Sequence, residues 1–299
     1  MAKPHEKGRN FGNWLIDRIL RLLIWLAMRL PYAIRVRFIG WLMRAVIAPV
    51  AGYQRRALDN LALIWPDRPA PERLRIARAS ADNSGRMLIE LYSFAELRER
   101  HRGVEAHGPG MEALRHARAT GQPVILISGH IGNITAARVP LVHSGFDIGG
   151  LYRPMQNPWF NAHYRAAMEN MDGPAFAHGR GGTSGFVRHL KQGGMLILLV
   201  DQNNWTGADL TFFGRNARTS LAAAKLALRY DALLVPLYGI RQPDGLTFEV
   251  SVEAPIPVSD PETMTQAIND SLEAQVRARP EQWFWMHRRW KAPARNSQP

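Results

Sequence analysis

The segment that most constrains the fold is a short apolar run that leads directly into a histidine and then into a helix. Residues 123–128 read Pro-Val-Ile-Leu-Ile-Ser, a run with the length and β-branched content of a buried strand. The strand is predicted to end at Gly129, His130 follows at once, and Asn133 supplies helix-start chemistry. Open α/β sheets bind their ligands at the carboxyl ends of their strands. This order of elements therefore predicts a ligand-binding edge at His130.

The chain after residue 110 alternates between apolar strands and helices. Strands that alternate with helices of about ten residues are typical of an α/β fold, so we predict a mixed central sheet flanked by helices. Residues 55–102 are predicted to be helical, with a break marked by prolines at 66, 69 and 71. The predicted strands lie near 123–128, 147–152, 195–200, 232–238 and 246–252, and the predicted helices near 111–119, 133–143, 158–171, 184–192, 219–230 and 261–278.

The first 55 residues combine apolar and basic side chains. The charged side chains of residues 14–30 are Asp17, Arg18, Arg21 and Arg29. On a helix they fall within a sector of about 120°, which leaves a broad apolar face. The longest uncharged run, 22–28, is far shorter than the ~20 residues that span a bilayer. We therefore predict amphipathic helices at 1–55 that lie on an anionic membrane surface. A tilted or re-entrant anchor and packing of both helices on the domain core are the alternatives.

The charge of the chain indicates an anionic partner. The formal net charge is +13 and the isoelectric point is about 10.8. Eleven lysines and arginines lie within residues 1–60 against three acidic residues, and six lie within 277–299 against Glu281, so the two ends account for the whole excess. An anionic membrane or a phosphorylated substrate suits this charge. No basic–aromatic recognition module is visible, so we do not expect nucleic acid. The absence of cysteine excludes disulfides, thiolate nucleophiles and cysteine zinc sites.

Polar side chains that a buried core does not require lie at four places in this pattern. His130, preceded by Gly129, follows the first predicted strand, Arg153 follows the second, and Asp201 and Gln202 follow the third. The fourth place, residues 212–215 with Thr219, is predicted to be a turn leading into a helix whose free N–H groups suit an anion. Each place alone also suits a structural role, as surface charge, helix cap or core. Together they predict a site at one edge of one sheet.

These segments, in this order and with this spacing, resemble the lipid A late acyltransferase family of the lauroyl and myristoyl type, within the glycerolipid-acyltransferase-like superfamily. The basic, apolar N-terminus is also similar to the membrane anchor of that family. The matching segments are Gly129–Asn133, Tyr152–Pro158, Asp201-Gln202, Thr211–Gly214 with Thr219, Val235-Pro236 and Pro280–Lys291.

The resemblance implies an acyltransferase domain at residues 56–291, followed by a disordered tail at 292–299. Its reaction would move a fatty acyl chain from an acyl-carrier-protein thioester to a hydroxyl of a lipid A precursor or related lipid. The implied location is the cytoplasmic face of the inner membrane, in lipopolysaccharide biosynthesis, and no cofactor or metal is implied. The acceptor, the acyl chain length and the choice between acyl carrier protein and coenzyme A as donor stay open.

The resemblance also implies roles for individual residues. His130 would act as the general base that takes the proton of the acceptor hydroxyl. Arg153 and backbone N–H groups near Gly132 and Asn133 would stabilise the oxyanion. Asp201 would hold the imidazole of His130 in position. The residues expected to bind substrate are Gly129, Gly132, Asn133, Gln202, Phe213, Gly214 and Thr219.

One position departs from the family pattern. The family's first motif places an acidic residue five positions after the histidine, where this chain has Thr135. A threonine hydroxyl can orient the imidazole ring but cannot offset the positive charge formed on it during proton transfer. Three outcomes stay open: a slow enzyme, an enzyme that uses Asp201 or another carboxylate, and a lipid-binding relative that has lost catalysis.

Overall fold

The computed structural model describes residues 10–290, and the predicted tail at 292–299 lies outside the described residues. Nine strands are found in this range: β1 (Ala106–His107), β2 (Val124–Ser128), β3 (Ile148–Tyr152), β4 (Ala175–Ala177), β5 (Met195–Leu199), β6 (Ala208–Phe212), β7 (Arg215–Thr219), β8 (Leu233–Arg241) and β9 (Phe248–Val252). All five strands predicted from the sequence are confirmed. The two short edge strands β1 and β4 and the β6–β7 pair were not predicted.

The helices confirm the predicted alternation. They are α1 (Phe11–Met28), α2 (Tyr32–Leu42), α3 (Ala48–Val50), α4 (Tyr53–Ile64), α5 (Ala70–Tyr92), α6 (Phe94–Arg100), α7 (Gly110–Thr120), α8 (Ile134–His143), α9 (Pro158–Glu169), α10 (Arg180–Lys191), α11 (Ala222–Tyr230) and α12 (Pro261–Ala278). A π-helical turn, Met43–Ile47, joins α2 to α3, and a 3₁₀ turn, Pro280–Gln282, follows α12.

A seven-stranded sheet forms the centre of the fold, in the order β1-β9-β8-β2-β5-β3-β4. Every neighbouring pair is parallel except β8 and β9, which confirms the prediction of a mixed sheet. Strand β2 lies between β8 and β5, and all five of its side chains are buried. A strand covered on both faces needs a continuous apolar run, as residues 124–127 provide.

The predicted turn at 212–215 is confirmed, but the prediction that it leads into a helix at 219–230 is wrong at the start of that helix. Strands β6 and β7 form an antiparallel hairpin outside the central sheet, and α11 begins only at Ala222. The hairpin turn is made by Phe213 and Gly214, whose φ angles of 55° and 67° suit a two-residue turn of this handedness. The prediction failed because β7 is mostly polar and shows no apolar alternation.

The N-terminal helices share a core with the sheet. Val36 and Ile39 of α2 are buried in one cluster with Phe94 and with Val139 of α8. On α1, Asp17 is buried and binds Arg21, which also donates to the carbonyl of Trp159 on α9. Within residues 10–290, no helix is both long enough and apolar enough to cross a membrane.

Helices α2 and α5 cross where two glycines meet. A Cβ atom on Gly85 would lie 2.6 Å from the carbonyl oxygen of Ile39 and 2.7 Å from the Cβ of Met43. The helix backbones therefore touch, and any side chain at this position forces them apart.

We expect Gly85→Ala to destabilise the protein by about 1–3 kcal/mol, because the added methyl group overpacks this crossing. The measurement is the free energy of unfolding from denaturant titration. Gly181→Ala is the matched control: a Cβ there meets nothing within 4 Å, and alanine favours a helix over glycine by roughly 0.5–1 kcal/mol. Equal stability of Gly85→Ala and wild type would contradict the close crossing.

Candidate active site

Two polar residues meet beyond the carboxyl ends of β2 and β5. Ser128 and Leu199, the last residues of the two strands, are register partners, and His130 and Asp201 each follow two residues later. The Nδ1 atom of His130 lies 2.7 Å from Oδ1 of Asp201. The prediction that these two strand ends converge is confirmed by this contact.

The Asp201 carboxylate receives three hydrogen bonds. Besides the imidazole of His130, the backbone N–H of His130 donates to Oδ2 at 2.7 Å, and the indole N–H of Trp283 donates to the same oxygen at 2.9 Å. Gly129 permits this approach, since a Cβ there would lie 3.1 Å from Oδ2 and closer still to Leu272. The carboxylate is thus held in one orientation by groups from two segments, the loop at His130 and the segment at Trp283.

The Nε2 atom of His130 is the imidazole nitrogen that is left to accept a proton. With Nδ1 donating its proton to the carboxylate, Nε2 of His130 is the free acceptor. The side chain of His130 retains 22% exposure, whereas that of Asp201 retains 3%. The pair therefore presents a basic nitrogen outward and keeps its carboxylate inside, as in an acid-supported general base.

The electrostatics of the pair favour a charged carboxylate and a readily protonated ring. Burial disfavours the imidazolium, but the charge and hydrogen bond of Asp201 outweigh burial and raise the pKa of His130 above its usual value. Burial alone would raise the pKa of Asp201, yet the charge of His130 and the donated hydrogen bonds hold that pKa well below its usual range. Asp201 therefore stays ionised and stabilises positive charge on the ring.

A second histidine lies nearby and differs in its environment. The Nε2 atom of His287 accepts a hydrogen bond from the backbone N–H of Asn203, and burial lowers the pKa of His287 to about 4. The ring is neutral at physiological pH and its accepting nitrogen is occupied. His130 is therefore the imidazole that is equipped to take a substrate proton.

The structure places Thr135 away from the pair. Its hydroxyl is buried and points to the sulfur of Met171 at 3.9 Å, while its backbone N–H is held by the side chain of Asn133. Thr135 is therefore not hydrogen-bonded to the imidazole. The carboxylate that contacts the imidazole is that of Asp201.

The predicted oxyanion donors at Gly132 and Asn133 are already engaged within the protein. The N–H of Gly132 donates to the carbonyl of Gln282 at 3.2 Å, and that of Asn133 donates to Gly239 at 2.8 Å. Gly132 has a φ of 56°, and a Cβ there would overlap the carbonyl oxygen of Gly239. These two residues shape the loop that carries His130, and their N–H groups are not free for a substrate.

Arg153 lies at the same sheet edge on another strand. It follows the end of β3, which is separated from β2 by β5, and its exposed side chain makes no ion pair or hydrogen bond within residues 10–290. The loop beyond it is held by Asn157, whose amide donates to the carbonyl of Asn13 on α1 at 2.7 Å. The guanidinium is thus free to meet an anionic group.

The remaining predicted substrate residues divide between surface and core. Gln202 is exposed beside Asp201. Phe213 is buried at the hairpin turn, edge-on to Trp65, while Gly214 beside it is exposed. The hydroxyl of Thr219 is buried and accepts from the guanidinium of Arg289 at 2.6 Å. Phe213 and Thr219 therefore anchor the hairpin to the C-terminal segment.

Trp283 is the site residue to which sequence reasoning assigned no role. It is buried and belongs to the tryptophan-rich segment 280–290. Trp283 forms an isolated β-bridge with Ile131, and the N–H of the next residue, Phe284, donates to the carbonyl of His130 at 2.9 Å. The sequence signal was its place in the segment Pro280–Lys291, which carries part of the family resemblance. That signal did not indicate that the indole N–H donates a hydrogen bond to the Asp201 carboxylate.

Comparison with known proteins agrees along nearly the whole chain. The family model described as bacterial lipid A biosynthesis acyltransferase matches residues 3–292. A lipid A biosynthesis acyltransferase of Haemophilus influenzae is 24% identical over 285 residues, which cover 94% of this chain and 87% of that protein. The lipid A biosynthesis lauroyltransferase of Escherichia coli is 24% identical, with 90% and 89% covered. A phosphatidylinositol mannoside acyltransferase of Mycobacterium tuberculosis is 24% identical, with 85% and 87% covered.

We expect His130 to titrate above pH 6.5 in the wild type and below it in Asp201→Asn, where burial acts without the carboxylate. Because the folded-state pKa exceeds the unfolded one, this titration stabilises the fold fully below about pH 6.5 and less as pH rises through the folded pKa. NMR of protein labelled with ¹⁵N-histidine measures both values. Thr135→Val is the control and should leave the titration unchanged. A shift in that variant, or none in Asp201→Asn, would contradict the pairing.

Proposed function

Since the chain belongs to the bacterial lipid A biosynthesis acyltransferase family, and is therefore an acyltransferase, we propose that it moves a fatty acyl chain from an acyl-carrier-protein thioester to a hydroxyl of a lipid A precursor or related lipid. The observation that carries the proposal is the 2.7 Å contact between His130 and Asp201. It supplies the acidic partner that the motif lacks at Thr135, and so favours an active enzyme over a lipid-binding relative without catalysis.

The proposed mechanism needs one base and no covalent enzyme intermediate. Nε2 of His130 takes the proton from the acceptor hydroxyl as its oxygen attacks the thioester carbonyl. Asp201 stabilises the imidazolium that forms. When the tetrahedral intermediate collapses, the carbon–sulfur bond breaks, and the imidazolium returns the proton to the departing thiolate. The products are the lipid ester and the free carrier thiol, and the enzyme returns to its starting state.

The developing oxyanion needs a donor that the protein does not already use. Among the predicted donors, the guanidinium of Arg153 is free, whereas the N–H groups of Gly132 and Asn133 are engaged. We therefore assign Arg153 to anionic groups at this edge, either the oxyanion or a phosphate of the acceptor. A guanidinium suits both because it offers several donors in one plane.

The names of the relatives support a glycolipid acceptor. Two of them act in lipid A biosynthesis and a third acylates phosphatidylinositol mannoside. A hydroxyl on a lipid-linked sugar, or on its acyl chain, is the chemistry that these acceptors share. An acyl carrier protein is acidic, and the net charge of +13 on this chain favours such a donor over a neutral one.

The surface of α1 supports membrane association. Asp17 of this helix is fully buried and Arg21 is partly buried, whereas Arg18 and Arg29 are exposed together with most of the large apolar side chains. The outward apolar surface, which we call the α1–α2 apolar surface, consists of Phe11, Trp14, Leu15, Ile16, Ile19, Leu22, Leu23, Trp25, Leu26, Ile34, Phe38 and Trp41. Large apolar side chains that are exposed along two consecutive helices mark a membrane or partner contact. We propose that it rests on the cytoplasmic face of the inner membrane.

We expect Asp201→Asn to reduce acyl transfer by about two to four orders of magnitude, because the imidazolium then forms without a compensating charge; serine proteases set the upper end of this range. His130→Ala should abolish transfer. The measurement is the rate of lipid product from acyl-carrier-protein thioester and lipid A precursor.

Thr135→Val serves as the matched control, since Thr135 contacts Met171 and not the imidazole. It should keep activity within about threefold, with an unchanged unfolding transition. Full activity of His130→Ala would remove this residue from the mechanism. A loss in Thr135→Val equal to that in Asp201→Asn would show that the hydroxyl, and not the carboxylate, supports the base.

We expect Ile19→Glu with Leu22→Glu to weaken binding to phosphatidylglycerol vesicles at least tenfold in a sedimentation assay, because both side chains are half-exposed on the α1–α2 apolar surface. Deletion of the N-terminus would be a poorer test, since α2 contributes to the core. Ala119→Glu with Ala222→Glu adds the same charge at exposed helix positions elsewhere. Equal binding by both double variants would contradict this contact surface.

A further inference from the structure

A second polar cleft lies away from the His130–Asp201 pair. It has a volume of about 840 Å³ and is formed by α2, the π-helical turn, α5, the β8–β9 connection and the 3₁₀ turn. Neither member of the pair lines it. The cleft is lined mainly by charged side chains, which makes it unlike an acyl-chain pocket and raises the question of what it binds.

The cleft carries more positive charge than its own acids neutralise. Its lining charges are Arg37, Arg44, Arg86, Arg241 and Arg279 against Asp82, Asp244 and Glu281. Arg86 is paired with Asp82, and Arg241 with the buried Glu90. Asp244 is engaged by N–H groups of its own turn. Of the other three arginines, two form no ion pair within residues 10–290, and among the lining acids Asp244 and Glu281 form no salt bridge there either.

These two free cations are Arg37 and Arg44. Within residues 10–290 neither makes an ion pair or a side-chain hydrogen bond, and both are exposed at the mouth of the cleft. A third, Arg279, has only a contact of 3.9 Å to Glu249. Guanidinium groups that line one cleft suit a phosphate, whose oxygens accept several N–H donors at once.

The mouth of the cleft adjoins the α1–α2 apolar surface. Arg37, Trp41 and Arg44 follow one another at helical spacing along α2 and the π-helical turn. Trp41 is exposed and its ring stacks on that of Phe38 at 6.0 Å. A ligand that carries both a phosphate and apolar chains could therefore place the phosphate among the arginines and its chains along Phe38 and Trp41.

We propose that this cleft binds the phosphate headgroup of an anionic membrane phospholipid, as a site separate from the His130–Asp201 pair. Its wall is also the support of the loop that carries His130. Asn83 and Gln282 line the cleft. The side-chain amide of Asn83 donates to the carbonyl of Gly132 at 3.0 Å, and the backbone N–H of Gly132 donates to the carbonyl of Gln282 at 3.2 Å. A lipid bound here lies directly behind that loop.

The test measures lipid binding by the full chain, so its result is independent of acyl transfer. Soluble dihexanoyl phosphatidylglycerol is titrated into the protein by calorimetry, beside dihexanoyl phosphatidylcholine and inorganic phosphate. We expect binding of phosphatidylglycerol only, and at least a tenfold loss in Arg37→Ala with Arg44→Ala. Arg188→Ala with Lys225→Ala removes the same charge from exposed positions on α10 and α11 and should bind as the wild type does.

A charge-preserving variant separates this site from general attraction to anions. Arg37→Lys with Arg44→Lys keeps the charge but loses the planar donor pairs, so we expect it to bind several-fold more weakly. Unchanged binding in the lysine variant would overturn the site in favour of diffuse electrostatics. Inorganic phosphate binding as tightly as the lipid would overturn the assignment to a membrane lipid. Unchanged binding in the alanine variant would overturn the proposal altogether.

Discussion

The pair of His130 and Asp201 depends on the register between two neighbouring parallel strands. Ser128 lies opposite Leu199, and equal two-residue extensions beyond these partners bring the imidazole and the carboxylate together. A slip of one residue in either strand would turn every side chain of that strand to the opposite face. The buried apolar residues of β2 and β5 that hold this register therefore also set the geometry of the pair.

A buried ion pair holds the loop behind the imidazole. Arg241 donates to both carboxylate oxygens of Glu90, at 2.6 and 2.7 Å, and the same carboxylate accepts from the amide of Asn133 at 2.6 Å. Asn133 in turn caps α8. Buried ion pairs often add little net stability, but removing one partner leaves an uncompensated charge and costs roughly 3–5 kcal/mol. The contribution of this pair is therefore positional: it fixes α5, β8 and the start of α8 relative to one another.

The sequence was sufficient to predict the strands of the central sheet and the polar residues beyond their ends. It predicted the convergence of His130 and Asp201 because the carboxyl ends of parallel strands share one edge. It did not decide between Thr135 and Asp201 as the partner of the imidazole, since that choice depends on strand order and register. The sequence did not predict the β6–β7 hairpin, because β7 is mostly polar and lacks apolar alternation. It did not predict the role of Trp283 either, because the sequence does not show which acceptor the indole N–H meets.

The orientation of α1 connects the surface of the protein to this edge of the sheet. A helix of a soluble protein normally buries its apolar side chains, whereas α1 buries Asp17 and exposes most of its leucines and isoleucines. Its first turn contacts the loop after Arg153, through the bond between Asn13 and Asn157. A bilayer that covers the exposed side of α1 would thus lie one helix away from the loop that follows Arg153. An acceptor lipid could then keep its chains in the bilayer while its headgroup reaches the sheet edge, so the cost of extracting the lipid, about 0.8 kcal/mol for each exposed methylene group, would be avoided.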